Sequence, residues 1–161
     1  MATILIGMAD LNVAGSPDKL TTIGLGSCVG LVLYDATNKI GGMAHIMLPS
    51  SAINTDTKNK AKFADTAFDS LVKMIASRGG NTKKLVAKLA GGANMFTTTS
   101  QSDIMKVGQR NVDMCRQILK KHDIPIIAED TGGNFGRTIE FCCETSLLKV
   151  RTVWPKNEKF I

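Results

Sequence analysis

Aromatic residues are scarce in this chain: six Phe, one Tyr and one Trp make up 5% of 161 residues. Proteins that hold nucleic acid by base stacking usually carry more, interleaved with clustered basic residues. Lys and Arg outnumber Asp and Glu by 20 to 14, for a net charge of +6, but they are spread along the whole chain. The spread reads first as a solvated basic surface; where the charge serves a partner, an acidic protein suits it better than nucleic acid does. Long apolar runs are missing as well, so no membrane-inserted helix is expected. The opening Met1-Ala2-Thr3-Ile4-Leu5-Ile6-Gly7 lacks the basic flank and long apolar core of a signal peptide, and a cytoplasmic protein is expected. Four cysteines and two histidines complete the list of shortages. There is no CxxC, and the adjacent Cys142 and Cys143 would point to opposite faces of a strand. Neither a disulfide framework nor a zinc site fits, and no metal or other cofactor is expected.

What is there reads as ordinary globular composition, 43% hydrophobic and 21% charged, and as a single domain over residues 1–161. The first third is strand-like: Thr3–Ile6, Leu11–Ala14, Leu20–Leu25, Val29–Tyr34 and Ile40–Leu48. Val29–Tyr34 is apolar at nearly every position, as a strand buried on both faces must be. A polar loop follows over residues 50–60. The period then becomes helical at Ala64, Ala67, Phe68, Leu71, Val72 and Ile75, and Gly79-Gly80 ends that helix. Leu85–Leu89 reads as a strand. After a polar loop over 97–102, a second helix is expected over Val107–Lys121, with Asn111, Cys115, Ile118 and Leu119 on or near its inner face. Ile124–Ala128, Phe135–Cys143 and Leu147–Val153 close the chain as strands, with Gly132-Gly133-Asn134 turning between the first two. The fold class is α/β in the α+β sense, packed mixed sheets flanked by helices.

The most informative segment is Gly24-Leu25-Gly26-Ser27-Cys28-Val29-Gly30. Its glycine spacing is one residue longer than the dinucleotide fingerprint, and it opens a β-branched run where a nucleotide turn must open a helix. No G-K-[ST] of a phosphate loop is present. Read instead as a tight turn, it can present the Cys28 thiol and aim backbone N–H groups, around Gly26 and Ser27, at a developing oxyanion. His45 follows on a later strand, and a thiol with an imidazole is a nucleophile–base pair. A hairpin loop Asp35–Asn38, or the tighter Ala36-Thr37, sets Cys28 directly across from His45; a three-residue loop sends them to opposite faces. The bland alternatives stay open on spacing alone. Cys28 would then be a small buried hydrophobe, and His45 a satisfied histidine between Met43 and Met47. His122 suits the end of the second helix.

These residues carry a family resemblance. Gly7-Met8-Ala9-Asp10, Thr22–Gly30, Gly42–Pro49, Gly91–Phe96, Gly108–Asn111 and Gly132–Arg137 together resemble the chemoreceptor glutamine deamidase family CheD. The resemblance implies a fold shared with cysteine deamidase toxins of the cytotoxic necrotizing factor type. It implies conversion of selected glutamines of methyl-accepting chemotaxis receptors to glutamate, through Cys28, His45 and Thr22. It also implies binding to the phosphatase CheC. Asn94, Phe96 and Arg137 become candidates for receptor or partner contact, against core packing for the first two and a hairpin turn with a surface Arg for the third. Two other readings use the same surface: a non-catalytic docking module, and a hydrolase of receptor glutamyl methyl esters.

Overall fold

The computed structural model describes residues 1–95 and 106–161. The described strands form two mixed five-stranded sheets. One runs in the order β1 (Thr3–Ile6), β3 (Lys19–Leu25), β8 (Arg137–Cys142), β9 (Leu148–Thr152) and β10 (Asn157–Phe160). The other runs β2 (Leu11–Gly15), β5 (Ile40–Ile46), β4 (Val29–Asp35), β6 (Val86–Gly91) and β7 (Ile126–Thr131). The pairs β1–β3 and β6–β7 are parallel and the rest antiparallel. Helices α1 (Ala64–Ser77) and α2 (Val107–Lys121) pack on the second sheet.

Strand β4 shows why the layers stack this way. Every one of its residues is buried. Val29, Leu31 and Leu33 face the helices and join Ala67, Leu71, Val112 and Leu119. Val32 and Tyr34 face the other way, into a second core with Leu20, Ile139, Phe141 and Val150 of the first sheet. The order is therefore helices, β4 sheet, β3 sheet, solvent. The β3 sheet alternates buried and half-exposed residues, the pattern of a sheet with one open face.

Several expectations shift. The strand expected at Ile124–Ala128 forms over Ile126–Thr131, and the helix ends come out as expected to within two residues. Strand β10 is missed by the sequence reading, because Asn157–Phe160 is exposed along its length and carries no apolar alternation. The turn at Gly132–Asn134 does not close a hairpin. It carries the chain from β7 in one sheet to β8 in the other. Among the described residues no helix is long and apolar enough to cross a membrane.

Candidate active site

Residues 26–28 link β3 to β4, which lie in opposite sheets. Neighbouring N–H groups hold this link by its carbonyls. Ala93 N–H donates to Gly26 O and Gly92 N–H to Cys28 O, both at 2.8 Å. Gly91 has to be glycine for that approach, since a Cβ there would sit 2.3 Å from Cys28 O. The oxyanion expectation changes in one respect. Gly26 N–H is spent on Gly24 O at 3.1 Å. Among the described residues Ser27 and Cys28 N–H make no main-chain bond, and Cys28 N–H turns toward its own sulfur.

The β4–β5 ladder differs from the expected register. Asp35 pairs with Ile40 and Gly30 with His45, so the loop is Ala36–Lys39 and partner numbers sum to 75. Asp35 explains the shift of the loop by one position: its Oδ1 accepts from Thr37 N at 3.0 Å and Asn38 N at 3.2 Å. His45 therefore stands across from Gly30, not Cys28. A slide of two residues preserves the face. Cys28 stands one residue before the ladder's end at Val29–Ile46, and its side chain packs in the core between the sheets, where His45 meets Thr22.

Thr22 meets His45 from the opposite sheet. Its Oγ1 lies 2.7 Å from Ile6 O and 2.8 Å from His45 Nδ1, and both side chains are fully buried. A carbonyl can only accept, so the one hydroxyl proton goes to Ile6 O. His45 must then donate Nδ1–H to Thr22, which leaves the lone pair on Nε2. That Nε2 is buried and has no hydrogen-bond partner among the described residues. The structure thus yields a neutral imidazole of fixed tautomer whose basic nitrogen is unused.

Burial sets the charge states. It pushes the Cys28 thiol above its ordinary value, partly offset by the residue's own N–H. It also pulls His45 below its ordinary value. Both groups are neutral at rest near pH 7. The other buried thiols differ in surroundings: burial, with Glu129 nearby, pushes Cys115 up to about 12, and Cys143 is pushed to about 11, again chiefly by burial. His122 ends α2 as expected, with Nδ1 2.9 Å from Ile118 O and its ring against Phe68.

Arg137 is the clearest departure from expectation. It is 3% exposed, so it is not a surface Arg. Its guanidinium donates to Gly132 O at 2.9 Å and Gly91 O at 3.5 Å, pairs with Asp130 at 3.3 Å and lies over the Phe135 ring. Satisfying the carbonyls of a chain that crosses between sheets accounts for its burial. Asn94 is half-buried, with its N–H donating to Gly133 O at 2.9 Å; Phe96 lies outside the described residues. Asn111 of α2 belongs to the site as well: its Nδ2 donates to Ser27 O and to Met47 O, both at 3.0 Å. The signal in the sequence is a carboxamide on a helix face otherwise made of Val112, Cys115 and Leu119.

A groove of about 420 Å³ runs beside the turn, lined among others by Ile23, Gly24, Met95, Arg151, Val153 and Trp154. Cys28 does not line it. Met95 makes the connection, because its side chain also packs on Gly26. Trp154 is 84% exposed, Val153 70% and Ile23 63%, an apolar patch on the open side of the β3 sheet.

The structure brings Thr22 and His45 into hydrogen-bond contact and places the Cys28 thiol in the same inter-sheet core. Residues 47–152 match the family model described as CheD chemotactic sensory transduction. The chain belongs to the CheD family. It is 55% identical over 148 residues to "Probable chemoreceptor glutamine deamidase CheD" of Caldanaerobacter subterraneus subsp. tengcongensis, covering 92% of this chain and 91% of that protein. It is 50% identical to a protein of the same name from Lachnoclostridium phytofermentans, covering 97% of each chain. It is 52% identical to "Chemoreceptor glutamine deamidase CheD" of Halalkalibacterium halodurans, covering 93% of each. The CheD family model begins after Cys28 and His45, whereas an alignment over 156 of 161 residues spans both.

Proposed function

We propose that this protein deamidates glutamine side chains of chemotaxis receptors, with Cys28 as nucleophile, His45 as base and Thr22 as the group that orients it. The observation that carries this reading is the buried, unpartnered Nε2 of His45 on the same inter-sheet face as the Cys28 thiol. Nε2 takes the thiol proton as sulfur bonds to the carboxamide carbon, and the carbonyl electron pair moves onto oxygen. The donors for that oxyanion are Ser27 N–H and Cys28 N–H, which make no main-chain bond among the described residues, the latter swinging from the sulfur as it is consumed; one such donor is worth about 3–4 kcal/mol. The C–N bond breaks as imidazolium protonates the departing nitrogen, and ammonia leaves a thioester. Water then attacks with Nε2 as base, the C–S bond breaks, and glutamate is released. Because both groups rest neutral, His45 acts as a base during attack, not as the imidazolium of a standing ion pair.

The receptor segment that bears the glutamine docks in the groove beside the turn. Three features support that occupant: continuity with the Cys28 turn through Gly24 and Met95, exposed apolar side chains, and Arg151 on a chain of net charge +6. An exposed Trp and Arg are the residue types that most often anchor a protein partner. Binding to CheC rests on the family resemblance alone.

The test is incubation with a purified helical receptor cytoplasmic fragment, followed by peptide mass spectrometry and ammonia measurement, with native protein against Cys28→Ala. Glutamine-to-glutamate conversion at defined sites, lost in the variant, is expected. Binding without conversion favours a docking module, and methanol release from a methylated receptor favours an esterase.

A further inference from the structure

Gly26 O and Cys28 O each have a main-chain donor; the carbonyl between them does not. Among the described residues Ser27 O accepts no main-chain bond, and its donor is the side chain of Asn111, 84 residues away on α2. The same nitrogen serves Met47 O. These two carbonyls sit just past the end of the β4–β5 ladder, whose last pair is Val29 with Ile46: Met47 is one residue beyond it and Ser27 two. Two carbonyls cannot bond each other. A primary amide carries two N–H groups on one nitrogen and can join both. The opposite amide orientation would turn an oxygen toward two oxygens, so the network fixes it. Asn111 is fully buried and its Oδ1 has no partner among the described residues. A buried acceptor left unpaired is costly, so packing alone does not explain a carboxamide here. Gly108 brings the helix this close: a Cβ there would lie 2.3 Å from Ala93 O.

The Ser27–Cys28 peptide is planar and, as a non-proline bond, trans; its C=O and N–H point opposite ways. Holding Ser27 O therefore sets the direction of Cys28 N–H, one of the two N–H groups beside the thiol that make no main-chain bond among the described residues. Holding Met47 O fixes the end of the strand that carries His45. Accepting a hydrogen bond at the carbonyl also polarises the N–H at the other end.

Resting on the deamidase reading, we propose that Asn111 is a positioning residue. Its carboxamide is the last rung between the nucleophile's turn and the base's strand, and it aims Cys28 N–H at the oxyanion. Asn111→Asp keeps the size and replaces the donors by an acceptor; Asn111→Ala removes the donors without adding charge. In variants shown folded by circular dichroism at the assay temperature, kcat on the receptor fragment should fall about 100-fold, near the loss of one oxyanion donor, with KM changed less than threefold. Alkylation of Cys28 by iodoacetamide at pH 7.5 should slow about fivefold or more, since weaker N–H support raises the thiol pKa. A folded variant with kcat and alkylation rate within twofold of native overturns the proposal, as does failure of both variants to fold, which would make Asn111 a packing residue. If the native protein does not deamidate the fragment, the deamidase reading falls, and the alkylation rates still decide the positioning role.

Discussion

His45 and Arg137 are both polar, both buried and both on strands, yet their surroundings differ in kind. Arg137 spends its guanidinium on two carbonyls, a carboxylate and an aromatic face, leaving one N–H, on Nε, unpartnered among the described residues. His45 makes one side-chain hydrogen bond, to Thr22, and its other ring nitrogen is left as a buried lone pair. A buried cation with most of its N–H groups engaged is an anchor, here for a chain passing between sheets. A buried base of fixed tautomer with nothing to accept is poised to take a proton. Burial alone does not mark a candidate reactive residue; an unused basic lone pair on the same inter-sheet face as a thiol does.

The largest effect that would break this contrast is at His45. His45→Gln should lower kcat/KM about 1,000-fold while the fold persists, within the usual range for losing a general base. The native pH profile should carry an acid limb below the ordinary histidine range, because burial pulls His45 down, and a basic limb above the ordinary thiol range, because burial pushes Cys28 up. Activity thus rises with pH as His45 deprotonates and then holds over a wide plateau. In His45→Gln the acid limb should vanish, leaving residual activity that rises with thiol ionisation. An unchanged acid limb would mean another base.

Arg137 should answer in stability. Arg137→Met leaves Gly132 O without its donor, while Gly91 O keeps Gly132 N–H at 3.0 Å, and it removes a cation from Asp130, which retains Lys159 at 3.4 Å. Breaking a buried pair from one side costs about 3 kcal/mol, or a Tm lower by roughly 6–12 °C in a domain of this size. Activity per folded molecule should stay within a few-fold of native. A loss of activity at unchanged Tm would move Arg137 into the reactive group.

Thr22 sharpens the contrast at smaller scale. Thr22→Val keeps shape and removes both hydrogen bonds, so Nδ1–H of His45 loses its acceptor and the tautomer is no longer fixed. A neutral hydroxyl stabilises imidazolium less than a carboxylate would, and kcat should fall only about tenfold. Thr22→Ser should restore most of it. A loss as deep as that of His45→Gln would give Thr22 a direct part in proton transfer.

Much of this was legible in the residues. The all-apolar Val29–Tyr34 run told of a strand buried on both faces, and helical spacing at Ala64–Ile75 and Val107–Lys121 gave both helices. The glycine turn and the next strand allowed Cys28 and His45 to share one face, without excluding the loop that would separate them. The register was off by two because Asp35 caps its own loop, a side-chain bond that periodicity does not encode. Arg137 looked like a surface group because a Gly-rich turn reads as a hairpin; only the sheet order shows that this turn changes sheets. Asn111 stood on the inner helix face, but its role depends on two carbonyls 64 and 84 residues away. Long-range satisfaction of main-chain groups leaves no local trace.

The smallest effect concerns the groove and separates binding from chemistry. Trp154 is 84% exposed, so truncating it removes little from the core, and Trp154→Ala should leave Tm within about 2 °C of native. If the receptor segment lies in the groove, the indole is among its larger apolar anchors, and loss of such a contact costs about 1–1.5 kcal/mol of binding. KM for the receptor fragment should then rise about fivefold to tenfold, with kcat and the rate of Cys28 alkylation unchanged, because the turn and His45 are untouched. Arg151→Glu should add to this at low salt and less at high salt, as an exposed charge facing an acidic segment would. An unchanged KM in both variants would put the receptor on a different surface and leave the groove without a part in recognition. A fall in kcat with KM unchanged would instead mean that the groove shapes the Cys28 turn through Met95, and that recognition and chemistry are not separate regions of this molecule.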